Sequence, residues 1–350
     1  MLMQEYDYDY QRVIDAENAY KEPSAPVLPE SKKPYGKMIA AVIAYAVASS
    51  LASVVYSAIS LVFTGGSVDF TSAFYQIGNV LLSLVTLGLY VLIPYLFAKS
   101  SYRTLRPRLA FIGCFYIQNV FSSVLWSVAS VALGKTAVDL KASEFELHDV
   151  LRDGIVPVLL TAAAEVFQIA ILIFAVNLMH HNGLFEEENT LRNGGADGYN
   201  RKAPVAAAVC AAVTVASSFA VGMLFTGFIT EGSGFRRIIA SAVPGAVKIA
   251  FVFVAYMSGK VFYKGKDSAI LFTAVVTGVS SISFGGWAVN FLYTVVTVIV
   301  SAFTDRTVPI LTDTAVSCLA CVANMIFAAL LGYFIIKRLN RRSEPTQTVQ

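Results

Sequence analysis

The stretch VPVLLTAAAEVFQIAILIFAVNLM, residues 156–179, carries a single charged side chain, Glu165. An α-helix rises 1.5 Å per residue, so a run of this length covers about 36 Å, more than the roughly 30 Å of a bilayer's hydrocarbon core. No soluble core needs such a segment. Comparable runs recur along the chain and give eight spans at 37–63, 72–99, 109–133, 155–179, 203–229, 237–259, 268–303 and 311–336. Hydrophobic residues make up 56% of the 350-residue chain and charged ones 14%, against roughly 25% charged in soluble domains. The expected fold class is all-α, a polytopic transmembrane helix bundle of eight spans.

The seventh span, 268–303, is too long for one upright helix, and Phe284-Gly285-Gly286-Trp287 lies inside it. Glycines loosen a helix locally, so this span is expected to be tilted and kinked or split in two.

Lys and Arg near span ends set orientation. Basic residues gather at Lys32, Lys33 and Lys37, at Lys99–Arg108, at Arg192–Lys202, at Lys260–Lys266 and at Lys337–Arg342. Of the alternate loops, the first has none, the seventh has only Arg306, and in the third acidic residues outnumber basic ones. Both termini are therefore expected in the cytoplasm, and the compact loops suggest a bacterial plasma membrane. Met1–Tyr20 has no apolar core of the kind a signal peptide needs, which leaves insertion to the first span. Cys114, Cys210, Cys318 and Cys321 all fall within spans and read as small apolar residues.

Five segments follow. Residues 1–36 form a flexible acidic cytosolic tail with Tyr6, Tyr8, Tyr10 and Tyr20; 37–180 is a first four-helix half; 181–202 is a cytosolic linker. Residues 203–336 form a second four-helix half, and 337–350 a basic C-terminal tail. A four-plus-four parallel repeat is suggested by Val47-Ala48-Ser49-Ser50 and Val215-Ala216-Ser217-Ser218, and by Trp126 and Trp287, each preceded by a Ser-Ser pair. In the third loop, Ser143–Glu146 fits a capping box and starts a short surface helix in this reading.

A charge at the hydrocarbon centre costs about 2.5–3.5 kcal/mol, so it needs a reason. Glu165 on the fourth span and Lys248 on the sixth come at similar depth, one in each half, and form the candidate charged pair. Gln168 shares a helix face with Glu165. Pro244 lies one turn before Lys248, where it frees backbone carbonyls. Asn119, Asn290 and Asn324 also fall near mid-depth. These six, Glu165, Lys248, Gln168, Asn119, Asn290 and Asn324, are the candidate substrate- or ion-binding residues.

Other motifs carry less. Glu187–Arg192 resembles the EExxxR motif of the CPBP-type intramembrane proteases over six residues, but that family's later histidine motifs have no counterpart, because no histidine follows His181. His180 and His181 are adjacent on a helix and point about 100° apart, which is poor geometry for one metal ion. Gly134-Lys135-Thr136 lacks the first glycine of a phosphate-binding loop. Cys318 and Cys321 have redox spacing inside an apolar span.

No catalytic residue, metal, cofactor or nucleic-acid partner is expected. The leading reading is a permease, or a permease subunit, moving a small solute or lipid through a mid-membrane polar cavity. Its energy would come from a coupling ion or a separate ATP-binding subunit. The other reading is a membrane scaffold acting through its tail and loops.

Overall fold

The computed structural model describes residues 34–63, 73–142, 147–186, 202–231, 234–263, 265–304 and 312–341. Among the described residues every regular element is an α-helix: α1 (Tyr35–Phe63), α2 (Ala73–Ser101), α3 (Leu105–Ala142), α4 (Leu147–His181), α5 (Ala203–Glu231), α6 (Gly234–Phe262), α7 (Lys266–Ser281), α8 (Phe284–Thr304) and α9 (Asp313–Arg341). Eight spans in them are long and apolar enough to cross a membrane, with α7 and α8 together forming the seventh. The chain is an integral, multi-pass membrane protein.

The outward faces show why. Ile43, Val47, Leu51 and Val54 form an exposed apolar stripe on α1 at helical spacing. Leu292, Val296, Ile299 and Phe303 do the same on α8, as do Leu319, Val322, Ile326 and Leu330 on α9. In water such stripes would be costly; against lipid tails they are not.

Polarity and bulk are arranged the other way at the centre. The short helix α7 packs against α3, α6, α9 and α5, and each of its residues from Ser268 to Val279 is buried. Its composition explains the position. Lipid provides no hydrophobic drive between helices, so close packing of small residues has to hold them. Ala269 lies beneath Gly259 of α6, Ala274 meets Gly113 of α3, and Gly278 takes the ring of Tyr116. Around this axis α5 packs on α6 and α9, α3 on α4 and α6, and α8 on α9 and α2.

The basic ends of the helices are tied to one another. Arg106 at the start of α3 pairs with Asp267 at the start of α7 at 2.7 Å, with side chains only 5% and 14% exposed. Tyr263 donates to Asn340 of α9 at 3.0 Å. The turn after α4 is closed by a left-handed glycine: Gly183 has φ 65°. Its N–H donates to His180 O and that of Leu184 to Met179 O. Leu184 and Met179 are both buried, which completes a Schellman cap with its hydrophobic contact.

Three sequence expectations are refined. The seventh span is split, but at Ile282 rather than at the glycines: Ile282 is extended (φ −91°, ψ 108°) and ends α7. Gly285 and Gly286 instead begin α8. The third and fourth spans continue as helix well past their apolar runs, so residues 147–151 are the first turns of α4 and not a separate surface helix. The two tryptophans have different partners. Trp126 donates to Gln168 of α4 at 3.2 Å, whereas Trp287 donates to Val80 O of α2 at 2.9 Å. The tail before Pro34, Ser143–Glu146, the Glu187–Arg192 motif and residues 342–350 lie outside the described residues.

Candidate functional site

The break between α7 and α8 is built from short polar side chains. Ser280 and Ser281 fold their hydroxyls back onto Thr277 O at 3.0 and 2.8 Å, an arrangement that competes with regular helix at a terminus. Ile282 leaves the helix, and Ser283 then caps α8, its carbonyl accepting the first intrahelical bond from Trp287 N at 3.0 Å. The first N–H groups of any helix lack intrahelical acceptors. Here that of Gly286 is taken by Asn324 Oδ1 of α9 at 2.6 Å. Gly285 has no room for a side chain: a Cβ there would lie 2.4 Å from Ala323 O.

Two cavities flank the break. The first, about 370 Å³, lies among α5, α6, α7 and α9 and includes Thr214, Ser218, Pro244, Lys248, Thr277 and Ser317. The second, about 650 Å³, lies among α1, α2, α8 and α9 and includes Tyr45, Asn79, Ser83, Thr86 and Tyr90. Ser283, Asn290, Ala320 and Asn324 line both. The first turns of α8 and the middle of α9 are thus the partition between the two cavities.

Lys248 is fourteen residues from each end of α6 (Gly234–Phe262), so it is about 21 Å from either helix end. It is exposed, yet not to lipid. Phe253, Met257 and Val261 mark the outward face of α6, and at 100° per residue Lys248 lies on the opposite side, with Pro244, Phe251 and Val252. All four line the first cavity. Asn290 stands in the same relation to the lipid stripe of α8, and Asn324 to that of α9. Among the described residues Lys248 has no ion pair, and neither cavity is lined by an Asp or Glu.

The structure therefore brings together three of the six sequence candidates, Lys248, Asn290 and Asn324. The remaining three lie elsewhere. Asn119 donates back to Phe115 O of its own helix at 3.1 Å. Gln168 accepts from Trp126. Glu165 is exposed on α4, a helix packed on α3 and, lightly, on α1. The expected Glu165–Lys248 pair is thus not formed: α3 packs on both α4 and α6 and stands between them.

Sequence reasoning missed the hydroxyls of the first cavity (Thr214, Ser218, Thr277 and Ser283) and the α2 side of the second. The available signal was Ser280-Ser281 with Ser283, immediately before the glycine pair in an overlong span. The chain matches no known family model, no curated protein and no solved structure.

Proposed function

We infer that this protein is a permease, or the membrane subunit of one, which carries a small solute through the polar space at the α7–α8 break. The observation that carries the reading is a lysine at the middle of a spanning helix, on the face opposite its exposed apolar residues, lining a cavity beside a broken helix. Discontinuous helices at mid-depth are a recurrent way of offering backbone groups to a solute, because irregular backbone is tolerated there only where it lines a cavity. The partition of Ser283, Asn290 and Asn324 between two cavities supports a path in which the solute passes from one to the other. Volumes of 370 and 650 Å³ fall in the range of small-molecule sites. The basic ends of α2, α3, α6 and α7 face the cytoplasm in this reading and provide the docking surface for an ATP-binding subunit, if one supplies the energy.

The test begins with purified protein and a panel of small solutes. A solute that binds the folded state at one hundred times its Kd stabilises it by about 2.7 kcal/mol, so melting in detergent selects candidates for uptake into proteoliposomes. The reading expects counterflow of at least one such solute, lost on Lys248→Met. If no solute accumulates while deletion of residues 1–33 abolishes cellular function, the protein is a scaffold instead.

A further inference from the structure

We propose that the first cavity binds the anionic group, a carboxylate or phosphate, of a small solute, with Lys248 as its counter-ion and the opening turn of α8 as a second positive element. This deepens the permease reading and rests on it.

Three observations converge. Among the described residues, Lys248 lines a cavity that no Asp or Glu lines, and it has no ion pair. A charge held in this way needs a partner, and a bound anion would supply the one that the described residues do not. Next, Ser283, the cap of α8, lines the same cavity, and the positive end of a helix dipole favours negative charge nearby. Finally, Thr277 is only 4% exposed and lines the cavity. Ser218 Oγ, also in the lining, is buried and unpartnered among the described residues. One orphaned hydroxyl, a lysine without an ion pair among the described residues and a helix start describe a donor-bearing pocket, complementary to an acceptor-rich anion. A cation would meet Lys248 repulsion, and a neutral apolar solute would leave the Ser218 hydroxyl unsatisfied.

The experiment reads the charge of the cavity directly. In full-length protein reconstituted in zwitterionic vesicles, with the four native cysteines replaced by alanine, Ser317→Cys places a reporter thiol in the cavity lining. Its reaction with an anionic and a cationic methanethiosulfonate is compared, each rate divided by that with free 2-mercaptoethanol. The expected anion-to-cation ratio is at least tenfold above one, holds in Lys248→Arg and falls at least tenfold in Lys248→Met. A ratio near or below one in the protein with Lys248 intact overturns the inference, whatever the variants do. Neutral methyl methanethiosulfonate separates the two levels of the argument. If it reacts while the charge ratio is near one, the anion inference fails and the aqueous cavity stands; if no reagent reacts, the permease reading fails and this inference with it.

The same neutral reagent identifies the source of the anion. Slowing by added inorganic phosphate or succinate supports a soluble ligand, and slowing only when anionic phospholipid is included in the vesicles supports a lipid headgroup. Absence of protection by all three overturns the proposed binding.

Discussion

Asn324 of α9 accepts the backbone N–H of Gly286 across 2.6 Å, which locks the opening turn of α8 against the middle of α9. The two helices come this close because Gly285 has only a hydrogen where a Cβ would overlap the Ala323 carbonyl, backbone that cannot swing aside. Both halves of the partition between the cavities depend on that contact.

Gly285→Ala is therefore expected to force α8 away from α9 and to destabilise the fold by about 1–3 kcal/mol, the usual cost of overpacking. Gly88→Ala is the control, since a Cβ there meets nothing within 4 Å. Melting in detergent checks both. Equal melting temperatures for Gly285→Ala and the parent would mean the contact is looser than described.

The Arg106–Asp267 pair joins the starts of α3 and α7 with both side chains largely buried. Breaking a buried ion pair by removing one partner costs about 3–5 kcal/mol. Arg106→Met and Asp267→Asn should each lower folded yield sharply, and Arg106→Met combined with Asp267→Leu should recover much of it. Additive losses in the double variant would show that the two residues act separately.

Tyr263 sits outside the apolar spans, and its phenol is pushed up to about 12 by burial, with the Asn340 hydrogen bond opposing in part. Its ordinary value is near 10. A raised folded-state value means the folded protein holds the proton more tightly than the unfolded chain does. The resulting stability is fully present below pH 10 and is lost as the pH climbs from 10 through 12. Tyr263→Phe should be less stable than the parent by about 1 kcal/mol at pH 8 for the lost hydrogen bond. That gap should narrow between pH 10 and 12. Denaturant unfolding at several pH values measures it, and a gap that widens with pH would reverse the assignment.

Much of the bundle was legible because spanning a bilayer demands long apolar runs, and the excess length of 268–303 left either a kinked or a split helix, of which the structure has the split. The location of the break was not legible. Ile282 is an ordinary helix former, and the neighbouring glycines serve the α8–α9 contact instead of the bend. The full lengths of α3 and α4 were hidden for a related reason: hydropathy marks where lipid ends, and helices continue past that point. Among the site residues, polar side chains inside apolar spans pointed to Lys248, Asn290 and Asn324, which line one cavity. Which helices are neighbours depends on packing between distant segments, here on the small residues of α7, and a linear pattern does not carry that.

Glu165 and Lys248, held apart by α3, should behave independently. In a double-mutant cycle of Glu165→Gln and Lys248→Met, the changes in stability should add to within about 0.5 kcal/mol, as for distant sites. A coupling above 1 kcal/mol would place the two in contact after all.

The most direct measurement of the central claim is a cysteine-accessibility scan of α8 in the cysteine-free protein, using a membrane-impermeant thiol reagent. Ser283→Cys and Asn290→Cys face the cavities; Leu292→Cys and Val296→Cys face lipid. The expected result is modification at 283 and 290, from at least one side of the membrane, with 292 and 296 inert. Protection at 283 and 290 equal to that at 292 and 296, in folded protein, would mean that no water reaches the break, and the transport reading would have to be abandoned.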